Sequence, residues 1–442
     1  MRDGGRITAT IEILEDFAQR RVPLKICLND WARGARFAGS KDRAFIGGLA
    51  LDVLRSRQTL YHAGGTWRCA VALALLRKWS WPLSRVEEAY AEEPHGPGPL
   101  SEAEKERLKV PMDGEESQGP NAVQANMPDF IFPLFTKMTD QPLEEARAFE
   151  QRASVDIRVN TLKCDPERAL KALASLGAVP THFAKNGLRL PAGPPEKKSP
   201  QLSITPAFQK GWIEIQDEAS QLATLAVGPL KGGQVLDYCA GGGGKTLALA
   251  AHMANQGQIY AYDKDAKRLA PIFERLKRAG VRNVQVISPA EDTGKLDDLK
   301  DRMDVVFIDA PCSGVGTWRR HPDAKWRLTE EQLEKRISEQ KQVLEEAFSY
   351  VVPGGSLIYA TCSLLIEENE DILASFLADH KEFQVDNALD AILNSGGISP
   401  DAPFDEGVSI PENSLKTIRF SPYRTQTDGF TITRLKRENA KI

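Results

Sequence analysis

The second half of the chain alternates short apolar runs with helical patterns, and this alternation restricts the possible folds more than any other feature. From residue 234 onward the apolar runs are QVLDYC, QIYAYD, VQVIS, MDVVFID and SLIYATC. Helical stretches such as DAKRLAPIFERLKRAG lie between most of them. Strands connected through helices pair in parallel, with helices on both faces of the sheet. The pattern therefore predicts a doubly wound parallel sheet, and TIRFSPYRTQTDGFTITRL at the end predicts an antiparallel pair.

Two cysteines and a carboxylate stand where strands of this predicted sheet end. Asp309 closes the run MDVVFID, Cys312 follows it in DAPCSG, and Cys362 follows SLIY in ATCS. Ligands of open α/β sheets bind outside the carboxyl ends of the strands. A lone cysteine there is more often an inert core residue. Two thiols beside a carboxylate instead indicate covalent chemistry on an electron-poor ring.

A glycine-rich loop follows the first of these strands, and Lys245 and Thr246 open the next helix. A phosphate-binding P-loop is excluded because Cys239 stands where its first glycine belongs. The dinucleotide pattern fails because Thr246 stands in place of its third glycine. Asp263 closes the second strand, where a carboxylate can accept both ribose hydroxyls. The loop therefore favours a nucleoside cofactor without phosphates, such as S-adenosylmethionine.

Composition and length indicate a multidomain protein that binds neither metal nor membrane. A chain of 442 residues predicts two or three domains. The six cysteines form no CxxC pair, so we expect no zinc site and no disulfide framework. The first residues lack the apolar core of a signal peptide, and the apolar run AVALALL at 70–76 is too short to span a bilayer. We therefore expect a cytoplasmic protein.

Charge and periodicity divide the chain into four parts. Residues 1–80 carry 14 Lys and Arg against 7 Asp and Glu, whereas residues 81–130 carry 4 against 11. Residues 1–90 have helical spacing, and residues 91–127 are rich in Pro, Gly and acidic residues, which is typical of a linker. Residues 128–220 mix helix and strand signals, and residues 221–442 contain the alternating pattern. The basic first part indicates a nucleic-acid partner, although a solvated helical face gives the same excess.

Cations and tryptophans alternate in the segment WRRHPDAKWR, just after Cys312. This pattern suits contacts with the phosphates and bases of single-stranded or looped RNA. The rings are as well explained by packing, so the prediction of RNA contacts concerns only the cations Arg319, Arg320, Lys325 and Arg327.

Several motifs together resemble the RsmB/NOP2/Sun family of RNA cytosine-5 methyltransferases. They are DYCAGGGGKT, YAYDKDAKRL, DVVFIDAPCSGVGTWRRHPDAKW, PGGSLIYATCS and the terminal DGF, with VDIRVNTLK and WIEIQDEASQL upstream. The resemblance covers roughly residues 128–436, and residues 1–90 more weakly resemble the NusB-like RNA-binding domain of bacterial members. It implies a Rossmann-like class I methyltransferase domain with an antiparallel last strand, preceded by an α+β module and an all-α domain.

The resemblance also implies the catalytic roles. Cys362 would attack carbon 6 of cytosine, and Cys312 would assist release of the product. Asp309 would bind the base edge, and Lys245 would hold the base and favour the thiolate.

For the cofactor, the resemblance implies a loop around the methionine and ribose, Asp263 on the ribose hydroxyls and Asp292 on the adenine, with Asp309 nearby. The loop residues are Cys239, Ala240, Gly241, Gly242, Gly243, Gly244 and Lys245. This sequence departs from the family at Gly241 and Gly242, where members usually have Ala-Pro. The missing proline predicts a more flexible loop.

Two other functions compete with RNA cytosine-5 methylation. A DNA cytosine-5 methyltransferase would use Cys312 as its nucleophile and leave Cys362 unexplained. A non-catalytic RNA-binding assembly factor would need neither thiol. The expected partner is RNA, either ribosomal or transfer RNA, and the protein is expected to be a monomer.

Overall fold

The computed structural model divides the chain into two compact units, neither of which is continuous in sequence. The described residues are 1–109, 121–197, 200–230, 232–289, 293–404, 408 and 415–439. The first unit, called the helical unit here, contains Met1–Arg152, Ala192–Ser199 and Trp318–Thr329. The second, the α/β unit, contains Ala153–Pro191, Pro200–Thr317 and Glu330–Ile442. No helix within the described ranges is long and apolar enough to cross a bilayer.

Helices of the first 109 residues of the helical unit pack around a shared apolar core. Helix α5 (Trp67–Arg77) is buried on nearly every side, which explains its continuous apolar sequence. Thr66 begins this helix by accepting a hydrogen bond from the Cys69 backbone N–H. Among the described residues before Arg152, the helices are α1 (Asp3–Arg20), α2 (Leu24–Gly34), α3 (Ser40–Arg55), α4 (Arg57–Gly64), α5 (Trp67–Arg77), α6 (Leu83–Tyr90), α7 (Glu102–Lys109), α8 (Phe132–Thr136) and α9 (Pro142–Phe149).

The boundaries expected at residues 90 and 127 differ from those in the structure. Part of the expected linker is helix α7, and Leu100 and Leu108 are buried in the core of the helical unit. Residues up to Arg152 also belong to this unit, because Arg152 pairs with Asp52 of α3. The Pro and Gly content of this segment predicted a linker. Composition alone does not reveal that apolar side chains within the segment are buried.

Every strand that the structure describes lies in the α/β unit. They are β1 (Val155–Val159), β2 (Val179–Pro180), β3 (Gly187–Leu190), β4 (Ile213–Ile215), β5 (Gln234–Asp237), β6 (Gln258–Tyr262), β7 (Val284–Ile287), β8 (Met303–Asp309), β9 (Val351–Thr361), β10 (Phe383–Asp386), β11 (Ile418–Phe420) and β12 (Phe430–Arg437). The remaining helices, of which α17 belongs to the helical unit, are α10 (Pro166–Leu173), α11 (Pro206–Gln209), α12 (Glu218–Leu225), α13 (Gly244–His252), α14 (Ala266–Leu269), α15 (Ile272–Ala279), α16 (Thr293–Asp297), α17 (Pro322–Arg327), α18 (Glu330–Ala347), α19 (Glu370–Asp379) and α20 (Ala388–Leu393).

An eight-stranded sheet has the order β10-β12-β9-β8-β5-β6-β7, with β11 paired to β12. Strands β9, β8, β5, β6 and β7 are parallel, and β12 is antiparallel to β9, β10 and β11. The predicted doubly wound sheet with an antiparallel last strand is therefore confirmed. A smaller antiparallel sheet, β2-β3-β1-β4, precedes it.

The order of the strands sets where a ligand can bind. Strand β5 lies between β6 and β8, so the chain reverses its direction of winding at β5. A crevice forms at such a switch point, outside the carboxyl ends of the strands. The middle of β8 is fully buried, which explains the apolar run MDVVFID.

Candidate active site

Two thiols meet at the carboxyl edge of the sheet. Cys312 follows β8, Cys362 follows β9, and their Sγ atoms lie 3.2 Å apart. Both cysteines are half-buried and free. The Gly316 backbone N–H donates to the Cys362 carbonyl at 2.9 Å, which ties the two loops together. This juxtaposition follows from the parallel pairing of β8 with β9.

The surroundings of Cys312 favour its protonated form. The hydrogen bond with Cys362, burial and the charge of Glu368 together raise the pKa of Cys312 well above its usual value. Cys312 is therefore a weak nucleophile at neutral pH, because the thiolate is the reactive form.

A half-buried cation lies beside the thiol loops. Lys245, in the first turn of α13, donates to Asp309 at the end of β8, with 2.7 Å between Nζ and Oδ2. The Lys245 Nζ also lies 4.9 Å from the centre of the Phe430 ring. Asp309 keeps 33% of its side chain exposed, against 11% for Lys245. Asp309 can therefore meet a ligand while Lys245 stays fixed behind it.

The glycine loop is held by side chains from two other elements. Asp263, after β6, accepts from the Gly241 backbone N–H at 3.0 Å, and Arg275 of α15 donates to the Gly242 carbonyl at 2.6 Å. Gly241 has φ of 49°, in the left-handed region that favours glycine. The left-handed conformation at position 241 therefore favours one of the two glycines that stand in place of Ala-Pro. A Cβ at Gly243 would lie 2.5 Å from Ile272, so this glycine permits close packing of α13 on α15.

These residues fit a nucleoside cofactor. Asp263 is only 2% exposed and already accepts from Gly241 and from the Asp265 N–H, yet each carboxylate oxygen keeps a second lone pair for a ribose hydroxyl. Ala240 is buried beneath the loop, and burial raises the pKa of Cys239 well above its usual value, which makes this thiol unreactive. The predicted adenine contact, Asp292, lies outside the described residues. No group of His, Cys, Asp and Glu suited to a metal is found in the described part of the chain.

Two acidic residues of the site were missed by the sequence analysis. Asp237 ends β5, is fully buried, and accepts from the Thr246 hydroxyl at 2.6 Å. Burial raises its pKa to about 7. Glu368 is also fully buried and accepts from the backbone N–H of Ser313 at 2.7 Å and from its hydroxyl. A charged residue inside an apolar strand was a signal for Asp237, whereas no local pattern distinguishes Glu368 from its acidic neighbours.

The four cations predicted to contact RNA belong to the helical unit. Arg319 and Lys325 are only 5% and 2% exposed. Lys325 Nζ donates to the Arg55 carbonyl at 3.1 Å, and burial lowers the pKa of Lys325 to about 7. In this structure Arg319 is buried and the Lys325 ammonium is bonded inside the helical unit, so neither side chain is presented to a phosphate. RNA contact by these two residues stays a prediction. Arg320 is half-buried and Arg327 pairs with Asp323 at 3.4 Å, and for these two RNA contact stays a prediction.

The chain is similar to several known proteins that are named as ribosomal RNA methyltransferases. The family model described as 16S rRNA methyltransferase RsmB/F matches residues 224–436. The probable ribosomal RNA small subunit methyltransferase B of Synechocystis sp. is 30% identical over 318 residues, which are 71% of this chain and 67% of that protein. Further relatives named ribosomal RNA small subunit methyltransferase B match over 40% to 55% of their own length.

Solved structures share the fold. The crystal structure of PH0851 matches with a TM-score of 0.70 at 24% identity, covering 99% of each chain. A methyltransferase homologue from Pyrococcus horikoshii matches with a TM-score of 0.57 at 27% identity, covering 72% of this chain and 97% of that one.

Proposed function

The chain belongs to the RsmB/F family of 16S rRNA methyltransferases, and from this membership we propose that it methylates carbon 5 of a cytosine in ribosomal RNA. The methyl donor is S-adenosylmethionine, whose sulfonium supplies an electrophilic methyl group. One observation carries the proposal, namely the 3.2 Å between the Sγ atoms of Cys312 and Cys362 at the ligand edge of the sheet. Two adjacent thiols suit a reaction in which a covalent adduct must form and then break.

Carbon 5 of cytosine is a poor nucleophile, so the enzyme must first activate the ring. The Cys362 thiolate adds to carbon 6, and the displaced π electrons make carbon 5 able to attack the methyl group. The bond from the methyl carbon to the sulfonium sulfur breaks in this attack, and S-adenosylhomocysteine is the leaving group. The carbon 5 proton then passes to water, and its electron pair re-forms the double bond as the bond from carbon 6 to Cys362 breaks. The product is 5-methylcytosine, and Cys362 leaves as a thiolate.

Cys362 rather than Cys312 is the attacking residue in this proposal. The raised pKa of Cys312, caused first by its hydrogen bond with Cys362 and then by burial, keeps Cys312 protonated. Its S–H can donate to the departing sulfur of Cys362 and so stabilise the thiolate. In the DNA methyltransferase alternative the two roles are exchanged, and Cys312 attacks.

Asp309 and Lys245 bind the base in this proposal. Asp309 is exposed enough to accept a hydrogen bond from the exocyclic amino group of cytosine. Lys245 fixes Asp309 through the bond between Nζ and Oδ2, and its charge stabilises negative charge that develops on the ring. The target base must leave its stack to reach this buried edge.

The test is methylation of defined RNA by the purified protein. Unmodified small-subunit ribosomal RNA and, separately, transfer RNA are incubated with S-adenosylmethionine and mapped by bisulfite sequencing. We expect one ribosomal cytosine to become resistant to deamination. Protection of transfer RNA alone would change the assigned substrate, and methyl incorporation without bisulfite resistance would contradict cytosine-5 chemistry.

A further inference from the structure

Glu368 is a buried carboxylate beside the thiols that the proposed reaction does not use. Its side chain accepts from the Ser313 backbone N–H at 2.7 Å, from the Ser313 hydroxyl, and from Gln340 Nε2 at 3.0 Å. These partners are neutral, and the carboxylate is completely buried. Burial of a carboxylate among neutral partners is costly. These hydrogen bonds hold the buried carboxylate directly against the residue that follows Cys312.

The bonds of Glu368 connect the two loops that carry the thiols. Ser313 directly follows Cys312, while Glu368 ends the turn Ile366–Glu368 just beyond the loop of Cys362. The Glu368 carbonyl accepts from the hydroxyl of Tyr359 at 3.0 Å, and Tyr359 lies in β9, the strand that leads to Cys362. Glu368 is thus attached through its backbone to one loop and through its side chain to the other.

Building on the function proposed above, we propose that Glu368 is a positioning residue that sets the distance between the Cys312 and Cys362 sulfurs. The Gly316 bond to the Cys362 carbonyl keeps the loops adjacent without Glu368. Glu368 adds two hydrogen bonds to Ser313, one to its backbone N–H and one to its hydroxyl, and these fix the direction of the neighbouring Cys312 side chain. Displacement of a reacting group by about 1 Å can reduce a rate by up to about a hundredfold.

The charge of Glu368 has a second effect on the same thiol. After the hydrogen bond with Cys362 and burial, it contributes to the raised pKa of Cys312. The carboxylate therefore orients Cys312 and also favours the protonated form that assists release of Cys362.

The distance between the thiols can be measured without any methyl transfer. Glutathione disulfide takes two electrons from the pair, which forms the Cys312–Cys362 disulfide, and two glutathione thiols with their protons are released. The equilibrium constant of this exchange gives the effective concentration of one thiol at the other. We expect Glu368→Ala to lower it about tenfold or more, and Ser313→Ala or Glu368→Gln to lower it less, because each keeps part of this hydrogen bonding.

Glu370 provides the matched control. It is also buried, lies two residues away, and pairs with Arg419. Glu370→Gln therefore removes a buried charge from the same region without touching Ser313, and we expect the effective concentration to stay within about twofold of the wild type. The proposal would be overturned if Glu370→Gln lowered the effective concentration as much as Glu368→Ala does. It would also be overturned if neither Glu368→Ala nor Glu368→Gln lowered it.

Steady-state kinetics of the same variants separate this inference from the proposed function. For Glu368→Ala we expect kcat to fall about tenfold or more while the dissociation constant of S-adenosylmethionine is unchanged, because Glu368 acts through Cys312. If the wild type lacks cytosine-5 activity while the effective concentration falls as expected, the function fails and the positioning role stands. Normal kcat in Glu368→Ala would contradict the positioning role even if cytosine-5 methylation is demonstrated.

Discussion

Lys245 reaches across the crevice to Asp309, although one residue begins a helix after β5 and the other ends β8. The 2.7 Å between Nζ and Oδ2 makes this a charge-assisted hydrogen bond at the edge of the sheet where both thiols lie. Strands β5 and β8 are neighbours, so the pair brackets the switch point of the sheet. The four groups proposed for catalysis therefore come from three adjacent strands.

Cys362→Ala should abolish methyl transfer and leave S-adenosylmethionine binding near normal, because its thiol is proposed to contact the base rather than the cofactor. Incorporation of labelled methyl groups and isothermal titration measure the two effects. Cys164→Ala, which removes a buried thiol from a separate core cluster, is the control. Full methylation by Cys362→Ala would disprove its role as nucleophile.

Cys312→Ala should still form the bond from Cys362 to carbon 6 but release the product poorly, because no S–H then assists the departing sulfur. An adduct of protein and RNA that survives denaturing electrophoresis should accumulate when S-adenosylmethionine is present. The double variant should form none. An adduct in Cys362→Ala, with none in Cys312→Ala, would reverse the two roles.

Asp263→Ala should weaken S-adenosylmethionine binding by about 1.5–3 kcal/mol, the scale of hydrogen bonds to a charged group. The variant also removes the acceptor for the Gly241 N–H, so part of the loss comes from the loop itself. Isothermal titration measures the affinity, with Asp265→Asn as the control because an amide still caps α14. Unchanged affinity in Asp263→Ala would mean that the ribose binds elsewhere.

Lys325→Met should raise the free energy of unfolding most below pH 7. The pKa of Lys325 falls from 10.5 to about 7 on folding because of burial, so the unfolded chain binds more protons between these values. The free energy of unfolding of the wild type therefore increases as the pH rises from about 7 to 10.5. Over the same interval the difference in unfolding free energy between the variant and the wild type becomes smaller. Chemical denaturation at several pH values measures it, with the exposed Lys341→Met as the control.

The same Lys325→Met variant tests the RNA assignment. A buried lysine makes no phosphate contact, so the salt dependence of RNA binding should not change. A reduced salt slope would show that Lys325 becomes exposed when RNA binds.

Much of the site followed from the sequence because parallel strands end at one edge. The apolar runs before Asp309 and Cys362 were sufficient to place these residues together, and Asp263 beside the glycine loop followed from the same rule. The helix expected over DAKRLAPIFERLKRAG is interrupted at Pro271, whose missing N–H separates α14 from α15. Here too the local signal was present in the sequence.

Other features depend on contacts that no local pattern contains. Glu368 is one of several acidic residues in LLIEENE, and only the folded chain shows which of them turns toward Ser313. Cations that alternate with tryptophans in WRRHPDAKWR look the same whether they meet RNA or pack on a helix. In the structure Trp326 donates to the Leu54 carbonyl and packs against the helical core, so tertiary packing explains part of that segment.

The position of Trp318–Thr329 in the helical unit also constrains the order in which that unit can mature during translation. Its first 152 residues leave the ribosome long before Lys325 and Trp326, whose bonds to Arg55 and Leu54 complete the surroundings of α3. Domains generally fold as units as they emerge, but here the amino-terminal unit must wait until four of the eight strands of the large sheet have been synthesised. Nascent chains of this protein therefore expose an incomplete helical core through much of their synthesis.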